Sequence, residues 1–459
     1  MAAAGTHHMT IQNTLIVTCL GHVIVQCNTA ILNLAIYRIQ IEFGADVSSL
    51  QWIVNAYMLA FAALLLSGGT LCDRLGLRPT FLWGVGIFAF GSFGTAAGTT
   101  IASLVVSQAL AGMASALIIP CSLALIAREC DGNPRLRARS IAVWTAVGGA
   151  AVALNPVVGG YLMTIAGWRN AFAAEGILCL ATALFALRYI RATPRNAKAR
   201  FDLVGQTFVA LTLLGFIAAA IEAGRRGLTE PLVVGFLLLA VTAGVSALIM
   251  GRRRGESVLP LDLFGRAGFT AAIAVSCVTN ITYYGVVFVL SLYFQRQHDY
   301  SPAETGLAFL PFSFAFVLAS IGGGWLGSVF GPRLPLIAGL TVACIGYFVL
   351  YFYMSESLVD PSIVAFLLIP VGMAGLIAPA ATDILLGSVA LDRAGTAGAF
   401  LNTAKQGTGA IGVAVYGIVA TGGPDLLFYG LKLSFLTSAI LFFLALAAFQ
   451  VCMGRTARW

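Results

Sequence analysis

The chain contains 459 residues, of which 59% are hydrophobic and only 10% are charged, and its mean hydropathy is +0.93. A soluble domain of this length cannot bury so much apolar surface, so the composition excludes a soluble protein. The formal net charge is +8, but most basic residues lie in short loops, where they are signals of membrane topology. No nucleic-acid partner is therefore predicted.

Long apolar runs predict the elements in chain order. Because backbone groups must be hydrogen-bonded within lipid, uninterrupted runs of about twenty apolar residues favour helices over the alternating strands of a barrel. We predict an all-α integral membrane protein with about fourteen transmembrane helices. The predicted spans are residues 11–36, 50–71, 80–98, 100–127, 140–166, 168–190, 203–223, 231–250, 269–294, 306–329, 334–354, 361–390, 395–421 and 430–453.

The basic residues predict the orientation of these spans. With the N-terminus inside, one set of loops carries about nineteen Lys and Arg residues and the opposite set about six. This asymmetry predicts that both termini are cytoplasmic. The nine cysteines are scattered and include no CxxC pair, so neither a disulfide framework nor a metal site is predicted, and no cofactor is expected.

An internal repeat divides the chain. A shift of about 255 residues lays GGTLCDRLGLRP (68–79) over GGGWLGSVFGPRL (322–334). Duplicated halves related by a pseudo-two-fold axis are a transporter architecture, so we predict two six-helix bundles plus two inserted central helices. The predicted segments are an N-terminal tail (1–10), an N-terminal six-helix bundle (11–190), a linker with two extra transmembrane helices (191–268), a C-terminal six-helix bundle (269–454) and a C-terminal tail (455–459).

The first repeat loop carries a motif at Gly69, Asp73, Arg74, Gly76 and Arg78. Through this motif the chain resembles the major facilitator superfamily, and within it the fourteen-span drug:proton antiporters, over nearly its whole length. The resemblance implies a multi-pass protein of the cell inner (plasma) membrane. The charged pair suits a latch that bonds a neighbouring helix terminus and breaks when the halves rock. The alternative is a set of loop glycines and topology charges.

A second motif lies in the fifth predicted span, where GGAAVALNPVVGGYL (148–162) resembles the antiporter motif of this family. An asparagine here replaces the glycine that usually precedes the proline. Glycines let helices approach closely, and the proline permits a kink. The residues of this antiporter-type helix are Gly148, Gly149, Asn155, Pro156, Gly159 and Gly160.

Polar residues in the first span form a stripe along one helical face. The stripe consists of Thr18, His22, Gln26, Thr29, Asn33 and Tyr37. Polar side chains in lipid usually face a bundle interior or a watery cavity, and the resemblance implies that the first and fourth spans line such a cavity. The expected substrate contacts in this half are His22, Gln26, Asn28, Thr29, Asn33 and Gln108. The alternative is interhelical hydrogen bonding that stabilises the bundle.

Two of these residues stand where the resembled family has charges. Asn28 replaces the acid of the first span, and Gln108 replaces the arginine of the fourth. Removing one member of a buried ion pair costs about 3–5 kcal/mol, whereas replacing both by amides avoids that cost. We hypothesise that the two sites are electrically linked.

Proton coupling needs a group that titrates, and the usual acid is absent. The candidates are Asp383, Lys405, Glu175 and His22. Asp383 and Lys405 are predicted at similar depth in antiparallel helices, so they are expected to pair. Each candidate has a structural alternative, as a packing pair, an interfacial carboxylate or a neutral hydrogen-bonded histidine.

The second half offers further polar and aromatic residues. They are Asn280, Tyr283 and Tyr284 in the ninth span, and Asn402 and Gln406 in the thirteenth. Rings with hydroxyl tips suit amphipathic ligands, although the tyrosines fill a core equally well.

Together these residues predict an alternating-access secondary transporter, most simply a proton-coupled exporter of amphipathic drugs, antiseptics or toxic metabolites. Its expected partners are a small-molecule substrate, the proton and the lipid bilayer, with a monomer as the working unit. The alternative is a uniporter or a carrier of one metabolite without proton coupling. A membrane enzyme or receptor is less favoured, because no catalytic cluster or long loop is present.

Overall fold

The computed structural model describes residues 2–130, 132–191, 202–253, 260–354, 361–390, 393–421 and 424–454. Across these ranges the chain is almost entirely helical and contains no strand, so the all-α prediction is confirmed. The helices are α1 (Ala2–Phe43), α2 (Val47–Leu75), α3 (Leu77–Ala97), α4 (Ile101–Glu129), α5 (Pro134–Ala166), α6 (Trp168–Tyr189), α7 (Leu203–Arg226), α8 (Pro231–Arg253), α9 (Ala267–Gln297), α10 (Pro302–Ala308), α11 (Leu310–Phe330), α12 (Arg333–Tyr353), α13 (Pro361–Pro370), α14 (Ala378–Gly387), α15 (Ala394–Gly417) and α16 (Pro424–Gly454).

Among the described residues, thirteen helical segments are long and apolar enough to cross a membrane. The predicted thirteenth span corresponds to α15, which is not one of these segments because Asn402, Lys405 and Gln406 lower the hydropathy of its middle. The predicted twelfth span is interrupted: a π-helical turn (Val371–Ile377) separates α13 from α14. α1 begins at Ala2, nine residues before the predicted start of the first span.

The chain forms two compact units. The first comprises Met1–Ala45, Trp52–Gln206 and Ser301–Gly306, and the second comprises Asp46–Gln51, Thr207–Tyr300 and Leu307–Trp459. Of the two helices of the predicted linker, α8 and all but the first four residues of α7 therefore group with the second unit. The first residues of α2 also group with the second unit, and the first residues of α10 group with the first.

The internal repeat has a structural counterpart within each unit. Gly76 and Gly331, which the repeat aligns, both adopt a positive φ, at 93° and 73°. That conformation strains any residue with a Cβ, so both turns require glycine. Gly68 and Gly323, also aligned, both lie at helix crossings: a Cβ on Gly68 would collide with the Ala116 carbonyl, and one on Gly323 with that of Gly375.

The absence of a disulfide was predicted wrongly. Cys72 of α2 and Cys121 of α4 form a disulfide across 49 residues of sequence. Gly68, one turn from Cys72, lets α2 approach α4 closely at Ala116 and so brings the two cysteines together. Sequence spacing alone does not reveal a helix crossing of this kind, because the partners lie on different spans.

We expect Gly68→Ala and Gly323→Ala to lower the free energy of unfolding by about 1–3 kcal/mol, because each methyl group would meet a backbone carbonyl that cannot rotate away. Gly69 and Gly324 are matched controls, since a Cβ on either meets no atom within 4 Å. Alanine there should be neutral, or stabilising by about 0.5–1 kcal/mol. Thermal unfolding of the four purified variants in detergent measures this; equal losses at Gly68 and Gly69 would contradict the close-approach explanation.

Candidate functional site

The two positions at which amides replace charges are in direct contact in the first unit. The Asn28 side-chain Nδ2 donates a hydrogen bond to Oε1 of Gln108 at 3.0 Å, and Gln108 Nε2 donates to Oγ1 of Thr95 at 3.1 Å. These bonds join α1, α4 and α3. The contact between Asn28 and Gln108 is what the hypothesis of linked sites requires.

This amide pair is closed to ligands in the present conformation. Asn28 and Gln108 both have 0% of their surface exposed. Their arrangement corresponds to the alternative in which polar residues of the first span hold the bundle together. Thr95, the third member, was not singled out in the sequence, because a threonine in an apolar run carries no distinctive signal.

His22 packs against α5. Its ring stacks on Trp144 with centroids 3.9 Å apart, and Nδ1 lies 3.2 Å from the Trp144 carbonyl oxygen. A Cβ on Gly148 would collide with the His22 ring. The first glycine of the antiporter-type helix therefore provides the space that this ring fills, whereas Gly149 beside it faces open space.

The unusual asparagine of the antiporter-type helix also contacts α1. Oδ1 of Asn155 accepts a hydrogen bond from the Cys27 thiol at 3.0 Å, and Asn155 is buried. Further along, Gly159 lies against Ile31, whose Cγ1 would be 3.2 Å from a Cβ. Much of the face that α1 turns towards α5 is thus engaged in packing.

The rest of the α1 stripe is more open. Gln26 and Thr29 are half-buried, and neither side chain makes a hydrogen bond to another described residue. The amide of Asn33 donates to the Thr29 carbonyl oxygen one turn earlier, at 2.9 Å. Gln26 and Thr29 are therefore the stripe residues best placed to meet a ligand.

Glu175 on α6 is enclosed in the first unit. It is 4% exposed; Oε2 accepts a hydrogen bond from the Ser92 hydroxyl at 3.0 Å, and Oε1 has no partner. No cation of the described residues pairs with it. Because desolvation penalises a carboxylate without a counter-ion, this enclosed state suits the protonated acid.

The predicted pair of Asp383 and Lys405 is not formed. Asp383 is exposed near the end of α14, while Lys405 is half-buried on α15, and no ion pair joins them within the described part of the second unit. Counting residues along antiparallel helices predicted that the two side chains lie at similar depth in the membrane. It could not show whether the two side chains point towards each other.

Three polar residues share one face of α15 at helical spacing: Asn402, Lys405 and Gln406. Asn402 is exposed and the other two are half-buried. None of these side chains hydrogen-bonds another residue in the ranges that the structure describes. Asn280 differs, because its amide donates to the Ser276 carbonyl oxygen at 2.9 Å on its own helix.

The two tyrosines of α9 lie in an aromatic cluster. The ring centroids of Tyr283 and Tyr284 are 4.9 Å apart at an angle of 78°, and Tyr283 stacks on Phe312 at 6.0 Å. The cavity beside Tyr283 measures about 10 Å³, which is too small for an organic ligand. In this conformation both tyrosines are half-buried and pack against neighbouring aromatic rings.

The motif residues at the end of α2 divide into two groups. Gly76 provides the turn, and Arg78 Nη2 donates to the Leu187 carbonyl oxygen at 2.7 Å, tying the loop to α6. Asp73 and Arg74 are exposed, and neither pairs with another described residue of its own unit. These two charges are therefore available to a partner, as the latch hypothesis requires.

Glycines also allow a tight crossing of α5 with the start of α10, both within the first unit. A Cβ on Gly160 would collide with the Pro302 carbonyl, and one on Gly306 with the Pro156 carbonyl. The backbone N–H of Ala303 donates to the Thr164 hydroxyl at 3.1 Å. The second glycine pair of the antiporter-type helix thus includes a helix-crossing point.

Apolar spans with polar groups enclosed between helices define a multi-pass integral membrane protein. A family model described as Major Facilitator Superfamily matches residues 18–413 and 271–458. The chain therefore belongs to the Major Facilitator Superfamily of membrane transporters.

Two relatives and one solved structure illustrate the likeness. Over 410 residues the chain is 30% identical to the Multidrug resistance protein Stp of Mycobacterium tuberculosis (strain CDC 1551 / Oshkosh), covering 88% of this chain and 75% of that protein. Over 447 residues it is 28% identical to the Methylenomycin A resistance protein of Bacillus subtilis (strain 168), covering 95% and 94%. The fold is similar to a bacterial homolog of the human lysosomal transporter Spinster in an inward-facing, unoccupied conformation, with a TM-score of 0.72, 15% identity and 98% of each chain covered.

We expect Asn28→Asp to lower the free energy of unfolding by about 3 kcal/mol, because it places an unpaired charge in a fully buried site. Adding Gln108→Arg should recover much of this loss by restoring a pair, which a double-mutant cycle of thermal unfolding in detergent measures. Gln12→Glu is the amide-to-acid control: Gln12 is exposed on α1, where a change within about 0.5 kcal/mol is expected. Independent effects at Asn28 and Gln108 would contradict the linkage.

Proposed function

We propose that this protein exports amphipathic small molecules by alternating access, coupled to proton entry, as a fourteen-span drug:proton antiporter of the cell inner membrane with both termini in the cytoplasm. Membership of the Major Facilitator Superfamily and relatives named for multidrug and methylenomycin A resistance support export of drug-like compounds. One chain is the proposed working unit, and the exposed Asp73 and Arg74 are the proposed latch.

The observation that carries proton coupling is the environment of Glu175. A carboxyl group with one hydrogen bond to Ser92, an unpartnered second oxygen and no cation holds a proton in this closed environment. Opening of the surrounding helices to water would favour release of that proton. The same conformational change that moves substrate then changes the charge of Glu175, which is the minimum requirement for coupling.

The other coupling candidates have less suitable environments. Asp383 is exposed, so its charged form is solvated in this conformation. The ring of His22 is stacked on Trp144 and bonded to a backbone carbonyl, which suits a structural role. Lys405 is half-buried without an acidic partner, and we assign it to substrate recognition together with Asn402 and Gln406.

A second candidate function has a specific observation in its favour. The acid and arginine of the resembled family are replaced by Asn28 and Gln108, which bond each other as neutral amides. If these charges were the coupling machinery, their loss would leave a uniporter or a carrier of one metabolite. Proton movement in liposomes separates the two functions.

Glu175→Gln is expected to abolish substrate-induced proton movement, because the amide is similar in shape to the acid but cannot release a proton. The purified protein is reconstituted in liposomes with a trapped pH dye, and neutral and cationic amphiphiles are added under an imposed proton gradient. Asp383→Asn is the matched acid-to-amide comparison and should retain proton movement. Proton movement lost in Asp383→Asn but kept in Glu175→Gln would assign coupling to Asp383, and substrate flux without proton movement in the unsubstituted protein would favour the uniporter.

Asn402→Ala and Gln406→Ala are expected to raise the dissociation constant of transported amphiphiles by about fivefold each, since each removes one hydrogen bond to the ligand. Asn33→Ala is the matched amide control, because the Asn33 amide already bonds its own helix. Quenching of intrinsic fluorescence by a bound amphiphile measures the affinity. An equal loss of affinity in Asn33→Ala would assign the binding site to α1 instead of α15.

A further inference from the structure

A cavity larger than the one beside Tyr283 lies wholly within the second unit and has no role in the proposed transport path. Its volume is about 700 Å³, and it lies between the start of α9, the repeat loop that joins α11 to α12, and the end of α14. Its wall carries three charged side chains, Arg266, Arg333 and Asp383. The arginine distribution predicts that this end of the helices faces the cytoplasm.

The charges around this cavity do not neutralise each other. Nη2 of Arg333 is enclosed and has no hydrogen-bond partner among the described residues. Arg266 donates from Nη1 to the Ser388 carbonyl oxygen at 2.6 Å, which holds its guanidinium at the wall. No ion pair joins Asp383 to either arginine in the described ranges, so the site keeps an excess of positive charge.

Two helix N-termini strengthen the preference for an anion. α9 begins at Ala267 and α12 at Arg333, and both residues line the cavity. The first backbone N–H groups of a helix have no partner within the helix and carry its positive dipole end. The first turn of α9 has a full set of these groups, whereas α12 offers fewer because Pro332 and Pro335 have no N–H. A half-buried guanidinium with an unpartnered Nη2, beside two such termini, matches the requirements of a phosphate group.

The cavity mouth adjoins surface that suits acyl chains. Phe330, at the mouth, is 58% exposed. On the same helix, Ile321, Trp325 and Val329 are spaced by four residues and are also exposed. A basic cavity between transmembrane helices beside an apolar surface is the arrangement that binds phospholipid headgroups.

We propose that this cavity is a binding site for a phosphate group, and that the group belongs to a phospholipid whose acyl chains lie along α11. Arg333 and Arg266 bind the phosphate, and Asp383 limits how much negative charge the site accepts. The proposal does not depend on the direction or the coupling of transport.

The experiment measures thermal unfolding of the full chain in detergent with three added compounds. Dioctanoylphosphatidylglycerol carries both phosphate and acyl chains, dioctanoylglycerol lacks the phosphate, and inorganic phosphate lacks the chains. The phospholipid should raise the melting temperature, and dioctanoylglycerol should not. An equal rise with inorganic phosphate would support the phosphate site but assign it to a soluble ligand. No rise with either phosphate compound would overturn the proposal.

Variants test whether the effect arises in this cavity. Arg333→Gln should raise the apparent dissociation constant of the phospholipid about tenfold, as expected for loss of a charge-assisted bond. Gly387→Leu leaves all three charges in place and adds a bulky side chain at the cavity wall, where a Cβ meets no atom within 4 Å; by obstructing the headgroup it should reduce the shift even if Arg333→Gln folds poorly. Arg393→Gln is the control, since Arg393 already pairs with Asp262 at 2.9 Å outside the cavity. A shift that Gly387→Leu leaves unchanged, or that Arg393→Gln reduces as much as Arg333→Gln does, would refute the assignment.

Discussion

A polar side chain in the interior of a membrane protein has no bulk water to bind, so another helix or its own backbone must supply the hydrogen bond. In the first unit α3 supplies two of these partners. Thr95 accepts from Gln108, and Ser92, three residues away on the same helix, donates to Glu175. α3 thereby connects the neutral amide pair of α1 and α4 with the enclosed carboxyl group of α6. The environment proposed for proton release depends on how these helices are held.

The two units use their polar residues differently. In the first unit, the side chains of Asn28, Gln108 and Asn155 form hydrogen bonds between helices. In the second, no hydrogen bond to another described residue engages the side chains of Asn402, Lys405 and Gln406 on α15, while the tyrosines of α9 are packed among aromatic rings. If α15 recognises the substrate as proposed, the first unit contributes mainly rigidity and the second contributes much of the recognition chemistry. Selectivity would then respond more to changes on α15 than to changes on α1.

The sequence predicted the helical class and the repeat because hydropathy and glycine spacing are local properties. It also related Asn28 to Gln108, through the two opposite charges of the resembled family, and the two amides are in contact; their electrical linkage stays a prediction. It could not identify Ser92 or Thr95, because hydroxyl residues are common in apolar runs. Nor could it orient Asp383 and Lys405: a small rotation of either helix turns a facing pair into two separate sites. The Cys72–Cys121 disulfide was not predicted for a related reason, because the spacing of cysteines in the sequence does not show where two helices cross.

The glycines at helix contacts fall into two kinds with different evolutionary consequences. At Gly68 the obstacle to a larger residue is the Ala116 backbone, which no substitution removes. At Gly148 the obstacle is the His22 ring, which a smaller residue at that position would remove. Gly148 can therefore be replaced in two steps, but only in one order. His22 must first be replaced by a smaller residue, and a methyl group at position 148 then meets no ring. At Gly68 no second substitution relieves the contact, because the obstacle is backbone, so the cost of a methyl group there remains.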